Sequence, residues 1–343
     1  MEERSTVLVT ATGGPAGLAA IRSLQRVGEF KLIAVDADSL APGLYAKEVI
    51  PYTVPLAKEQ SYVDVLFDIC EKEEVKVVLP CSDEEIYTLS KSKPFFDHSG
   101  IEMPISDQNL IMKASDKWKL ILSISKFGIR VPETFCPATI KEFEETIRKM
   151  DFPIVVRPRV SRGARGVTFC ENKNEAMFAF RLLNRKYSGV IVQEVIPGGS
   201  GSVFVVQTLW DKQHALCATA VMQKLRERPS TGGVAVAGKT VHNDQLRDLG
   251  VSVIKKLGPW TGPAGVELKI STSDGQPYVM EVNPRLQGVT YLFTKAGINF
   301  PHLWVLVALD KKFTPQLKYE EQYFTRYWND VVIGEEDLIK AYR

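Results

Sequence analysis

The spacing between strand-like runs changes partway along the chain, and that change restricts the folds open to it. Over the first third, short β-branched runs alternate with amphipathic stretches. Thr6–Thr10 (TVLVT), Lys31–Val35 (KLIAV) and Val75–Pro80 (VKVVLP) read as strands, and Leu18–Val27 and Ser61–Glu73 as the helices between them. Helices in those positions act as crossovers between parallel strands, so residues 1–110 are expected to form a doubly wound α/β domain. From Ser202 onward the strands lengthen and crowd together: Val203–Leu209, Leu216–Gln223, Gly265–Ile270 and Tyr278–Val282, the last two separated only by the turn STSDGQ. Tight connections impose antiparallel pairing. Between the two halves lie a helix over residues 116–129 (DKWKLILSISKFGI), capped by Ser115 or Asp116 and stopped at Gly128, and a helix over Lys141–Met150. A strand Pro153–Arg157, the loop Ser161–Gly166 (SRGARG), a helix Glu175–Asn184 and a strand Val190–Val195 follow. The expected order is α/β first and α+β afterwards, without repeats or a low-complexity linker.

Composition removes several function classes. With 343 residues the chain has room for two domains, or three small ones. Its 43 basic and 41 acidic side chains leave a net charge of +2, which argues against bulk nucleic-acid binding. A 45% hydrophobic content is too high for a disordered chain. No apolar window is long enough for a membrane span, and MEERSTVLVT runs straight into a strand, so neither a membrane segment nor a leader is expected. Five cysteines (Cys70, Cys81, Cys136, Cys170, Cys217) without a CxxC pair argue for buried thiols in a reducing, cytoplasmic setting, and against a disulfide framework or structural zinc.

Four segments carry residues with chemical potential. ATGGPAG, between the first strand and helix, resembles a phosphate-binding turn, and Asp36 ends the second strand where a dinucleotide fold places its ribose carboxylate. However, Gly13, Gly14 and Gly17 give GGxxG with Pro15 intruding, which favours packing of helix on strand. In PIVVRPRVSRGARGV, Arg157 ends a strand, and Arg159, Arg162 and Arg165 surround Gly163 and Gly166. Such a loop can oppose phosphates with backbone N–H groups and cations, or form a solvated arginine hairpin; no aromatic residues interleave to stack bases. VIVQEVIPGG ends a strand in Gln193, Glu194, Val195 and Ile196, whose backbone edge can read an adenine. Finally, GPAGVELKI and YVMEVNPR place Glu267, Glu281 and Asn283 on hairpin-linked strands, with Arg285 beyond. Hard oxygen donors on neighbouring strands suit Mg²⁺ held with a nucleotide, and acids among apolar residues need a compensating cation. A pair of salt-bridged acids at a sheet edge is the plainer alternative.

Taken in this order, the helix DKWKLILSISKFGI, the strand IVVRP with its glycine loop, QEVIPG and GVEL…MEVNPR resemble the ATP-grasp superfamily. The likeness is greatest to one synthetase unit of the carbamoyl-phosphate synthase large subunit, and it covers nearly the whole chain. It implies a Rossmann-like pre-ATP-grasp domain over 1–110, a connecting helix over 111–129, a lid subdomain over 130–196 and a C-terminal subdomain with the metal site over 197–343. It further implies ATP with Mg²⁺ or Mn²⁺. Lys117 and Arg157 would face the nucleotide, Gly163 and Gly166 would belong to the phosphate lid, and Glu194 and Ile196 would meet adenine. Glu267, Glu281 and Asn283 would be metal ligands, and Arg285 would stabilise the transferred phosphoryl group.

The chain departs from that family in three respects. The stretch GGSGSV (Gly198–Val203) has no glutamate where the family usually holds the ribose. No His stands near KLRERPSTGG, and the length accommodates one synthetase unit rather than two. The implied activity is a stand-alone carboxylate–amine ligase that makes an acyl phosphate and then an amide, acting on small carboxylates and amines, with no nucleic-acid or membrane partner and with a homodimer as the common assembly. For the acceptor, Arg226 and Arg228 can grip a carboxylate while Gly232 and Gly233 give the backbone room; Asp83 and Glu84 stand at the carboxyl end of the first sheet, where open α/β sheets bind ligands. A non-catalytic nucleotide sensor, a carbamoyl-phosphate-synthase-like kinase subunit and a nicotinamide-dependent dehydrogenase are the competing readings.

Overall fold

A computed structural model describes residues 4–161, 163–229, 233–327 and 329–338. Four strands, β1 (Thr6–Val9), β2 (Lys31–Asp36), β3 (Val49–Thr53) and β4 (Val75–Leu79), form a parallel sheet in the order β3-β2-β1-β4. The β1 residues Val7, Leu8 and Val9 have no exposed surface, as a central strand covered on both faces requires. The strand β3 lies outside the elements expected from sequence: its VIPYT carries Pro51, which only an edge strand tolerates. Helices α1 (Pro15–Gln25), α2 (Tyr62–Lys72) and α3 (Asp83–His98) accompany the sheet.

The glycine turn before α1 serves packing. A Cβ on Gly17 would stand 2.3 Å from the Ala11 carbonyl oxygen, so only glycine lets the helix settle on its own turn. The Asp36 carboxylate accepts from the Gly13 N–H (2.7 Å) and the Asp38 N–H (3.0 Å), closing that turn instead of standing free for a ribose.

The expected helix over 116–129 is divided. Helix α4 (Gln108–Ser115) ends at Asp116, which caps α5 (Lys117–Ile124) by accepting from the Trp118 and Lys119 N–H groups. A 3₁₀ turn over Ser125–Phe127 follows and ends at Gly128, whose φ of 74° stops the helix as expected.

A small subdomain comes next: β5 (Thr134–Phe135), α6 (Ile140–Ile147), β6 (Ile154–Pro158), β7 (Thr168–Cys170), α7 (Lys173–Lys186) and β8 (Val190–Glu194). Its antiparallel sheet runs β5-β8-β6-β7 around a core of its own, where Phe143 stacks on Phe180.

The body of the molecule is an antiparallel sheet in the order β13-β12-β9-β10-β11-β14. Its strands are β9 (Val203–Trp210), β10 (Leu216–Arg228), β11 (Val234–Thr240), β12 (Gly262–Ile270), β13 (Pro277–Asn283) and β14 (Tyr323–Thr325). Helix α8 (Asp244–Leu257) covers one face, closely enough that a Cβ on Gly250 would meet Val206. Helices α9 (Thr290–Lys295) and α10 (Phe300–Ala308) pack against α1 of the first domain. One continuous apolar core joins that domain to the body, stitched by Ser23–Thr294 and Asn299–Ser23 hydrogen bonds, both of 2.8 Å. Among the described residues no helix is long and apolar enough to cross a membrane. All five cysteines are free and four are buried; Cys136 is the exception, half-buried beside Arg159.

Candidate active site

A cleft of about 890 Å³ opens between the small subdomain, the body sheet and the carboxyl ends of the first sheet. Its floor is the face of β12 and β13 on which Glu267 and Glu281 stand as cross-strand partners. Alternation along each strand puts Leu268 and Val282 into the core and turns the two glutamates to the cleft. Asn283, two residues beyond Glu281, joins the same face, its amide donating to Glu281 Oε1 at 3.2 Å.

Each glutamate has its own cations. The Lys117 Nζ and the Arg157 Nη2 each lie 3.5 Å from Glu281 Oε2. Burial opposes ionisation of Glu281, yet Lys117 and Arg157 outweigh it and hold its carboxyl down at about 2. Glu267 moves the other way: burial raises it, and repulsion from Glu281 adds to that, against the pull of Lys224. Lys224, on β10, lies 2.7 Å from Glu267 and 3.0 Å from Glu227. Burial alone would neutralise Lys224, but those two acids raise its ammonium well above the ordinary value. Lys117 is lowered by burial and by Arg157, with Glu281 opposing.

Arg159 braces this arrangement. Its guanidinium grips Asp116 with bonds of 3.2 and 2.6 Å, and the Arg159 carbonyl accepts from the Lys117 N–H. The residue that caps α5 therefore also fixes the strand carrying Arg157. At the other end, Arg285 donates to Asp83 Oδ2 at 2.9 Å and raises no clash with burial because that acid faces it. This ion pair ties the start of α3 to the end of β13.

The sequence-predicted residues divide into those the cleft collects and those it does not. Gln193, Glu194, Val195 and Ile196 line it beside Val155 and Phe169, a wall suited to a flat ring. One oxygen of the Glu194 carboxylate is nevertheless engaged, accepting from the Glu133 N–H at 2.8 Å. Gly163 (φ 56°) lines the cleft, whereas Gly166 (φ 74°) does not: a side chain there would strike Pro158 and Leu183, which makes it a packing glycine. Asp83, Glu84 and Gly233 also line the cleft. Arg226 and Arg228 are exposed and stand outside the cleft lining. The register of β10 slips between Lys224 and Arg226, so Lys224 and Glu227 take the inward positions, and Arg226 reaches Thr325 instead. Arg162 and Gly232 lie outside the described residues.

Lys224 and Glu227 were not anticipated; Asp116 and Arg159 were expected as a helix cap and a loop cation, but not as a pair. Within MQKLRERPS a lysine among five charged or polar neighbours reads as solvated, and nothing local announces the slipped register that buries it.

The donor set fits a divalent ion carried with phosphates. Among the described residues no three His, Cys, Asp or Glu side chains gather into a metal cluster, so a cation here rests on two carboxylates and the Asn283 amide. Few protein ligands, all hard oxygen, suit Mg²⁺, which keeps waters and takes phosphate oxygens. Among the described residues the buried Arg157 Nε has no hydrogen-bond partner, a donor left for an anion.

Comparison with known proteins agrees with this geometry. A family profile described as "ATP-grasp domain" matches residues 114–289, and one described as "PylC-like, N-terminal domain" matches residues 7–104. The chain is 23% identical over 290 residues to the carbamoyl phosphate synthase large chain, N-terminal section, of Aquifex aeolicus, covering 80% of this chain and 52% of that one. It thus spans about half the length of that relative. Among solved structures, a biotin carboxylase–β,γ-ATP complex from Campylobacter jejuni superimposes with a TM-score of 0.72 at 16% identity, covering 91% of this chain and 72% of that one. An L-amino acid ligase from Bacillus licheniformis gives 0.70 at 19% identity, covering 90% and 75%. At these identities the likeness is one of fold.

Proposed function

Because the chain belongs to the ATP-grasp family, we propose that it is an ATP-dependent carboxylate–amine ligase acting on amino-acid-like small molecules and releasing ADP and phosphate. The observation that carries this reading is the cross-strand pair Glu267 and Glu281, held by different cations at the centre of one cleft. Two acids driven apart in proton affinity beside four buried or half-buried cations are the kind of arrangement that catalytic sites use.

In this reading the backbone of Glu194–Ile196 takes adenine, and the Arg157 Nε and Lys117 Nζ bind phosphate oxygens. Glu267, Glu281 and Asn283 would hold Mg²⁺, which supplies charge neutralisation between ATP and an incoming carboxylate. The substrate carboxylate oxygen attacks the γ-phosphorus and the bond to ADP breaks. Arg157 and Arg285 are the cations placed to balance charge on the phosphoryl group in flight. The amine then attacks the acyl carbon, phosphate leaves, and the surplus amine proton passes to solvent. The cleft arm between Asp83, Glu84 and Gly233 receives the second substrate.

The test is ADP release from the full chain with the twenty amino acids, singly and in pairs, in the presence of Mg²⁺. Release that depends on a particular pair, and that falls by orders of magnitude in Glu281→Gln while its circular dichroism is retained, supports the ligase. Nucleotide binding with no turnover from any pair overturns it in favour of a sensor, and near-normal ADP production by Glu281→Gln removes the metal site.

A further inference from the structure

Among the described residues, Lys269 is a cleft cation without a counter-charge in contact. It stands two residues beyond Glu267 on β12, turned to the same face, and is half-buried in the cleft wall. Lys117, Arg157, Lys224 and Arg285 all make ion pairs, whereas Lys269 makes neither an ion pair nor a hydrogen bond among the described residues. Glu227 and Glu267 act on it through space, opposing the lowering by burial, yet neither touches it. Glu227 is almost fully buried and also lines the cleft; among the described residues one of its oxygens is bound to Lys224 and no hydrogen bond engages the other.

Register places this pair. Val203 of β9 lies opposite Lys269 on one side and opposite Lys224 on the other, while Glu267 lies opposite Val205. Lys269 is therefore one inward position, roughly 7 Å, from Glu267 toward the hinge. There Pro197 accepts from the Thr272 N–H, and Gly198 lies against the Ile270 carbonyl. If adenine lies on Glu194–Ile196 and phosphates at Glu267 and Glu281, covalent order puts the ribose over Lys269. The segment Gly198–Ser202, which leaves the hinge, contributes no carboxylate.

We propose that Lys269 and Glu227 form the ribose subsite: the ammonium donates to a ribose hydroxyl oxygen, and the Glu227 oxygen not bound to Lys224 accepts a hydroxyl hydrogen. A vicinal diol carries both functions and fits between two opposite charges that do not touch. The inference rests on the nucleotide reading above and makes Lys269 the residue that distinguishes ribose from its deoxy forms.

Calorimetric titration of the full chain with Mg²⁺ and either ADP or 2′,3′-dideoxy-ADP tests it. The wild type should prefer ADP by about 100-fold, two charge-assisted hydrogen bonds of about 10-fold each. Lys269→Met should cut that preference by about 10-fold while leaving dideoxy-ADP affinity within about 3-fold of wild type, and Lys269→Arg should restore most of it. A thermal melt establishes that each variant is folded; Lys269→Gln serves if Lys269→Met is not. Equal weakening of both nucleotides in Lys269→Met, or an unchanged preference, overturns the inference while leaving nucleotide binding intact. Failure of the wild type to bind either nucleotide overturns the ligase reading, and this proposal with it.

Discussion

Glu267 and Glu281 face each other directly across an antiparallel pair of strands, yet their carboxyl groups are driven in opposite directions, Glu281 down and Glu267 up. Like charges directly opposite on neighbouring strands repel, and each has its own contacting cations: Lys117 and Arg157 at Glu281, Lys224 at Glu267.

The pH dependence of stability follows from Glu281. Its carboxyl titrates at about 2 in the folded chain, below the ordinary 4.5. A depressed carboxylate stabilises the fold fully above its unfolded value, and that contribution disappears as pH falls through the folded one. The contribution at neutral pH is on the order of 3 kcal/mol. Glu267, being raised, acts in the opposite sense and favours the fold once protonated. Urea denaturation at a series of pH values should show wild-type stability falling between about 4.5 and 2, with a flatter acid limb in Glu281→Gln. Parallel limbs in the two proteins would refute the ion-pair assignment.

Lys224→Met leaves Glu267 and Glu227 buried with no shared cation. Removing one partner from such a group destabilises by about 3–5 kcal/mol, so the urea midpoint should drop sharply at neutral pH and recover as the acids protonate. Lys224→Arg should lose much less. A midpoint that is insensitive to Lys224→Met would mean that water already satisfies both acids.

Asp83→Asn releases Arg285, whose ion pair spans the first domain and the body. Both side chains are partly exposed, so the stability loss should stay within about 1 kcal/mol. Turnover is the sensitive readout. An Arg285 no longer held in place should lower kcat by about 10-fold, while the thermal midpoint moves little. Unchanged kinetics would show that Arg285 keeps its position without Asp83.

Two glycines make a contrasting pair. A Cβ on Gly17 meets backbone atoms of Ala11 and Thr10 between 2.3 and 2.8 Å away, whereas Gly199 has open space around it and a φ of −86°. Gly17→Ala should therefore cost about 1–3 kcal/mol, as overpacking against immovable backbone does. Gly199→Ala should be neutral in thermal melts. Equal midpoints would mean that the first turn can shift to make room.

The legibility of the chain varied with the range of the interactions involved. Alternation of short strands and amphipathic helices made the parallel sheet readable, and GVEL followed by MEVNPR exposed Glu267, Glu281 and Asn283, because a strand's side-chain period is a local property. Strand β3 was hidden by Pro51, and the two-residue β5 is too short to carry a pattern. Lys224 was hidden for a different reason. Its inward position depends on a register slip against β11, which no neighbour in KLRER signals, and its partner Glu267 is 43 positions away. Arg226 and Arg228 were misplaced by the same slip. Gly166 looked like a phosphate glycine because its sequence neighbours are arginines, but Pro158 and Leu183 explain it.

The seam between α1 and the α9–α10 pair also has a consequence for synthesis. The face of α1 that carries Ser23 is covered by residues near 290–300, so a nascent chain must expose it until most of the body has emerged. Contacts this distant in sequence form late. A fragment ending after the first sheet would present apolar surface with nothing to cover it, and would depend on chaperones or aggregate. The first domain is a unit of sequence pattern but not a unit of folding.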